Sequence, residues 1–519
     1  MSTGAPRPIA AILVVLVGLI GACGSSARAP AAGLAPQPAE ARAPIVDPSV
    51  SEGSPLLTVA QVEALLPDLA IEQWFGVYLG DNKVGYGHAT VRRTADGEPG
   101  GVLVQIIANL EVGGLGTDKA EILIQTESYY SGEPPFPLVE QRTLERSPDG
   151  QVEKRFVASP GRIVLHERVD GAPRPERTLA PSREGLPTML ASIITVPATL
   201  RAGQTVTYYS FDDETETDAL TRQTVVEITR RRISGVDTQV VVLQDQKIGE
   251  QGVSTTVLAG DGGMLEATIG GMKLRLEDEA IARSDVAGFD IFRDAVELVG
   301  GGTLGDPDRV TRLRLILGGV PEGFSLPTGP NQQVSRRPDG RVEVVIASVP
   351  GPRATDAEKR EALVITAAID AGHPAIIELA SQLTSGQDTD GARVEALRRW
   401  VYEKLAKKLS SNISIASQVL ERRIGDCTEH ALLFTAMARS QGIPARRIAG
   451  VTYMGDEYGR FGWHEWTEVV IDGHWVQIDP SWGPPVANAT HLNLGLSERN
   501  DSSMLMGVLT ISLPEVGAK

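Results

Sequence analysis

Alternating apolar and polar positions dominate the chain between Trp74 and Ala282 and predict β-strands. Trp74–Leu79 and Val84–Val91 flank a turn at Gly80-Asp81-Asn82-Lys83, and Val102–Val112 continues the meander. Further runs follow at Arg155–Val157, Ile163–His166, Gln204–Tyr209, Thr224–Thr229, Thr238–Leu243 and Ser254–Leu258, separated by Gly or Asp clusters. Such a succession predicts one curved antiparallel sheet or an open barrel. A separate small β unit is expected over 285–350. There Thr311, Leu313, Leu315 and Leu317 alternate with Arg312 and Arg314, and Arg341–Val349 offers a partner strand after the Pro338-Asp339-Gly340 turn. Residues 350–372 read as a link from this unit to the last domain.

After Pro374 the period lengthens. Ile376, Ile377, Leu379, Ala380 and Leu383 fit one helical face, and Val394, Leu397, Val401 and Leu405 fit a second. Apolar residues at 431, 434, 437 and 438 predict a third helix from Thr428 to Arg439, stopped by Gly442 and Pro444. The chain therefore divides into 1–22, 23–55, 56–284, 285–372 and 373–519, with an α+β fold class overall.

The first segment is of a different kind. Arg7 precedes an unbroken apolar run from Ile9 to Ile20. This is a signal-peptide core, since a bilayer span needs about 20 apolar residues. Leu19-Ile20-Gly21-Ala22-Cys23 resembles the bacterial lipobox, which implies diacylglycerol on Cys23 and a membrane anchor. Gly rather than Asp at position 24 implies the outer membrane, facing the periplasm. Residues 24–55 carry Pro30, Pro36, Pro38, Pro44, Pro48 and Pro55 with no apolar period, as a semi-extended tether would.

Charge narrows the partners. With 66 acidic and 49 basic residues the net charge is −17, so the basic face that nucleic acid requires is missing. The sequence leaves the oligomeric state open. Only two cysteines, Cys23 and Cys427, occur in 519 residues, which excludes a disulfide framework and calls for a separate explanation of each.

Cys427 stands in Gly425-Asp426-Cys427-Thr428-Glu429-His430, at the start of the third helix. A helix N-terminus lowers a thiol pKa and offers a backbone N–H to an oxyanion. Gly425 allows the close turn into that helix. Downstream, Phe461–Ile471 reads as a strand, Asp472-Gly473 as a two-residue hairpin loop and His474–Asp479 as the return strand. Pairing Ile471 with His474 places His464 and Asp479 as diagonal neighbours on one face, roughly 7–8 Å apart at the backbone. A register slip of one residue would separate them.

These segments, with Gly442-Ile443-Pro444-Ala445-Arg446, Trp463-His464-Glu465-Trp466 and Asp479-Pro480-Ser481-Trp482, resemble the transglutaminase-like core of bacterial proteins over residues 374–487. The resemblance implies a papain-like α+β domain in which Cys427 is the nucleophile, His464 the base and acid, and Asp479 the residue that orients the imidazole. It implies attack on a protein or peptide amide through a thioester, resolved by water or by an amine, with no cofactor. The β-rich region vaguely resembles the half-barrel modules that precede such enzymes, as a binding element or a spacer. Trp400 and Trp463 are candidates for a second oxyanion donor. His430, Trp466 and Trp482 are expected to be structural. Asp456-Glu457 reads as a solvated loop too short to argue for Ca²⁺, and no His/Cys cluster suggests zinc. The competing reading is a catalytically idle scaffold that binds peptide or cell-wall material in the same groove.

Overall fold

The structure is a computed structural model. It describes residues 70–514, with breaks at 114–119, 180–199, 213–216, 291–295, 408–414 and a few shorter ones, together with scattered residues between 60 and 66. Cys23, the signal segment and the tether therefore lie outside the described residues. No helix among the described residues is long and apolar enough to cross a membrane. The chain divides into two compact units, with the change at Phe289 and Asp290.

The first unit is a 16-stranded sheet whose main path is antiparallel throughout. The chain enters it in the middle. Ala70–Leu79 pairs with Asn82–Arg93, and the strands then step outward to Ala172–Pro173. The path resumes at the far edge with Thr205–Asp212 and returns strand by strand until Met272–Glu277 pairs with Ala70–Leu79. Period-two burial builds it: Val102, Val104, Ile106 and Ala108 lie buried on one face, while Gln105 and Ile107 between them are partly exposed. Leu79 pairs with Asn82, so Gly80-Asp81 alone forms the first loop.

The second unit joins helices to a nine-stranded sheet. Its strands are β1 (Val296–Val299), β2 (Arg312–Gly318), β3 (Gln332–Arg336), β4 (Val342–Ala347), β5 (Ala445–Tyr453), β6 (Arg460–Ile471), β7 (His474–Ile478), β8 (His491–Leu496) and β9 (Thr510–Ser512). The order is β3-β4-β2-β9-β1-β6-β5-β8, with β7 paired on β6. The strands expected as a separate unit over 285–350 are part of this sheet. Arg312–Gly318 does pair with Val342–Ala347, but β1 also pairs with β6, and β9 inserts between β1 and β2. The physical reason is edge closure: the unpaired backbone of β1 and β2 is satisfied by strands distant in sequence.

The helices are α1 (Pro374–Thr384), α2 (Asp390–Lys404), α3 (Ala416–Arg422) and α4 (Cys427–Ser440). Residues 429–438 of α4 are buried without exception. A helix apolar on nearly every side must be central. Leu432, Leu433, Phe434 and Met437 of α4 pack with Ile376, Val394, Leu397 and Val419 of the other helices and with Val469 and Ile478 of the sheet. Truncating Phe434 to Ala would cost about 3–5 kcal/mol.

Candidate active site

Three local devices set the site. The first is the start of α4. Cys427 is its first residue, and Asp426 caps it. The Asp426 carboxylate accepts the N–H of Thr428 at 2.8 Å, while the Glu429 carboxylate accepts the N–H of Asp426 at 2.8 Å. This reciprocal box satisfies helix donors that would otherwise be orphaned. It also needs Gly425, because a Cβ there would stand 2.3 Å from the Cβ of Glu429.

The second device is the β6–β7 hairpin. Asp472 and Gly473 both have positive φ, 50° and 78°, as a two-residue type I′ loop requires. Ile471 pairs with His474 and Thr467 with Ile478, the register expected from the sequence. His464 Nε2 lies 2.7 Å from Asp479 Oδ2, both side chains buried. Ser481 holds the other oxygen, Oδ1, through its N–H at 2.8 Å and its hydroxyl at 2.7 Å.

The third device seats α4 on β6. Thr435 and Thr467 hydroxyls are 3.2 Å apart, and the backbone N–H of Glu465 donates to the Cys427 sulfur. The thiol thus sits beside the strand at the level of the His464–Glu465 peptide.

A model of the transglutaminase-like superfamily matches residues 377–480. These residues form a transglutaminase-like domain. Among solved structures, part of the chain resembles a candidate cysteine protease from Cytophaga hutchinsonii, with 14% identity over 39% of this chain and 82% of that one and a TM-score of 0.27. It also resembles a β-barrel-like protein of a domain of unknown function from Brucella abortus, with 10% identity over 40% and 96% of the two chains and a TM-score of 0.30. A third is the periplasmic domain of TgpA from Pseudomonas aeruginosa, with 16% identity over 37% and 83% and a TM-score of 0.24. The comparison with curated proteins returned no match.

Just beyond the matched residues, the chain returns one residue to the His464–Asp479 pair that the sequence did not reveal. His491, on β8, is buried with Nε2 3.1 Å from Asp479 Oδ2. Asp479 therefore receives two imidazoles on one oxygen and Ser481 on the other. Burial raises its carboxyl, but the pull of His464 and His491 outweighs this and holds it well below the usual carboxylate range. Burial also pushes His491 down, against the opposing effect of Asp479. Aromatic rings surround this cluster: Trp466 stacks on His464 at 5.9 Å and meets His491 edge-on at 5.2 Å, and Trp482 meets both imidazoles edge-on at about 6 Å. The ligand-type atoms of His464, Asp479 and His491 lie within 4.8 Å of one another, the one such trio among the described residues. Both imidazole nitrogens facing the carboxylate are already engaged by it in hydrogen bonds, so the arrangement is that of a proton network.

The environment of Cys427 corrects the expectation of a lowered thiol pKa. Burial and the Asp426 carboxylate push it well above the ordinary value, helped by Glu465 and Glu429, and the Glu465 N–H offsets only part of this. The cap that completes the helix also cancels the helix-end charge that would have favoured a thiolate. The acids are themselves perturbed. Burial against Asp426 pushes Glu429 well up. Burial raises Glu465 to about 7 even though Arg447 lies 2.9 Å away, because Glu498 shares that guanidinium.

The remaining candidates divide. Trp463 neighbours His464 along β6 and so faces the other side of the strand; its buried indole N–H has no partner among the described residues and does not face the His464–Asp479 pair. Trp400 packs against the helical core with Arg423 over its ring. His430 is buried and its Nδ1 donates to the Asp426 carbonyl at 2.6 Å, a structural bond at the turn that carries Cys427. Trp466 is fully buried, but Trp482 is only partly so and bonds Asp308 through its indole N–H at 3.0 Å. Asp456 does more than face solvent: it accepts the backbone N–H groups of Leu304 and Gly305 and the Tyr453 hydroxyl.

Proposed function

We propose that the protein is a thiol enzyme that cleaves or transfers acyl groups at amide bonds of proteins or peptides. The 2.7 Å pair of His464 and Asp479, set at the strand level where Glu465 meets the Cys427 sulfur, carries this reading. Because the thiol is held neutral, His464 acts as general base at the moment of attack. With Nε2 engaged by Asp479, its Nδ1 takes the proton as sulfur bonds to the amide carbonyl carbon. The same nitrogen then protonates the departing amine, leaving a Cys427 thioester. Water or a second amine releases the acyl group, with hydrolysis preferred. The ionised Asp479 fixes the imidazole tautomer. Cys23 anchors the protein by lipid to the cell envelope, at the outer membrane on its periplasmic side, and residues 24–55 tether the folded part to it.

The raised thiol favours the second reading, an idle scaffold that binds peptide or cell-wall material in the same groove. Labelling with a thiol-directed electrophile, with and without Cys427→Ala, followed by mass spectrometry of cleaved or crosslinked envelope proteins, separates the two. Cys427-dependent products support the enzyme. Intact binding with no Cys427-dependent product supports the scaffold.

A further inference from the structure

His491 reaches the site from two strands away. β5 lies between β6 and β8, so the backbones of β6 and β8 are about 9–10 Å apart. In the register His464 faces Gly450 on β5, and Gly450 faces Asn493 on β8. A Cβ at Gly450 would stand 2.6 Å from Trp466 and 2.2 Å from the Leu492 carbonyl. The middle strand thus leaves open the space in which the two imidazoles and Trp466 approach one another over Asp479.

The hydrogen bonds of His491 are unusual. Nε2 faces Asp479 Oδ2 at 3.1 Å, and Nδ1 faces Asn488 Oδ1 at 3.2 Å. The Asn488 oxygen is identified by its other partners, the N–H and hydroxyl of Thr490 at 2.9 and 2.5 Å. Both ring nitrogens therefore face acceptors. A neutral imidazole donates to only one of them, and a charged one donates to both. Burial and the neighbouring His464 oppose that charge. Other titratable groups in the surroundings, among the described residues, include Asp308, which Asn488 contacts at 3.4 Å, Lys407, which acts on Asp479, and His430 of α4, which Asp479 and Lys407 both influence.

We infer that His491 is a positioning residue for the His464–Asp479 pair: its Nε2–H holds the carboxylate in place, and its own protonation draws the charge of Asp479 away from His464. No reacting atom touches it. Two imidazoles that share one carboxylate titrate as a coupled pair. A proton taken up by His491 weakens the support Asp479 gives to the imidazolium formed during attack. The inference rests on the enzymatic reading and adds to it a second histidine acting through Asp479.

The test uses the full chain with His491→Gln, which keeps a donor but cannot titrate, and His491→Leu, which removes both. The ¹³C-histidine spectra of the seven histidines are followed against pH, with the rate of Cys427 alkylation by iodoacetamide measured at neutral pH in parallel. The wild-type His464 and His491 signals should fit two coupled ionisations. In His491→Gln the His464 signal should fit one, with the neutral-pH rate kept within about threefold. In His491→Leu the rate should fall roughly 10- to 100-fold, as for other groups that orient a functional side chain. Wild-type profiles in both variants overturn the inference. So does a loss of thermal stability with the profile unchanged, which is a structural role. If His491→Leu does not fold, the Gln variant decides alone. Absence of Cys427-dependent turnover in the wild type would count against the enzymatic reading, while the histidine titrations would still report whether the two imidazoles are coupled.

Discussion

His464 and Asp479 touch at 2.7 Å although the hairpin pairs neither with the other. Continued past Ile478, the register that joins Thr467 to Ile478 would set Asp479 opposite Trp466, two residues along from His464. The contact is diagonal, and it depends on the loop at Asp472-Gly473. Asp479→Asn should keep the Ser481 bonds and the fold but cost roughly 10³–10⁴-fold in turnover, since the imidazole loses its orienting charge. Combined with His464→Ala the loss should be far less than additive, because the two act in one step. Steady-state kinetics with circular dichroism of the three variants would check this; additive losses would contradict it.

The acids around Cys427 set its pH response. Alkylation should rise at a pH above the free-cysteine range near ~8.5. Asp426→Asn keeps a good helix cap while removing the charge. Its alkylation midpoint should move down, and an unchanged midpoint would acquit the Asp426 carboxylate.

Glu465 makes the stability of the domain depend on pH. Its folded pKa, about 7, lies above the ordinary value of 4.5. The folded form therefore binds this proton more tightly than the unfolded chain does. The contribution is complete below the unfolded pKa and is lost as pH rises through about 7. Glu465→Gln should leave the melting temperature less dependent on pH than wild type between about pH 5 and pH 8. Equal slopes in a thermal scan would show that Arg447 keeps the carboxylate ionised throughout.

Gly450→Ala should destabilise the domain by about 1–3 kcal/mol, because its methyl meets Trp466 and the Leu492 carbonyl. Denaturant titration measures the loss. Activity should fall further than stability, since the same methyl displaces Trp466, which stacks on His464 and meets His491 edge-on.

Cys23→Ser should abolish lipidation and release the protein from membranes. Fractionation and the mass of the N-terminal peptide test it; unchanged partitioning would remove the anchor from the proposal.

What the sequence conveyed was mostly local. The Asp472-Gly473 loop disclosed the hairpin register, and the apolar spacing at 431, 434, 437 and 438 disclosed the cysteine helix. The alternation at 313, 315 and 317 disclosed its strand. His491 was not legible, because it belongs to no motif and β8 joins the site only across β5. Its approach depends on the missing side chain at Gly450, and a single glycine announces nothing by itself. The membership of β1–β4 in the sheet that carries His464 was hidden for a similar reason: Val296 pairs with Phe461, far along the chain. The raised thiol follows first from burial, which emerges only from packing, and then from the neighbouring Asp426 carboxylate.

The short strand β9 has a practical bearing on how the domain is dissected. It runs between β1 and β2, so Thr510–Ser512 is clamped by segments about two hundred residues earlier. A fragment trimmed to the family match at 377–480 would strip these partners and leave raw sheet edges beside β6, an invitation to aggregate. The transplantable piece for biochemistry begins near Asp290 and keeps Thr510–Ser512. The smallest region that carries the chemical signature and the smallest region that can stand alone are different lengths of chain.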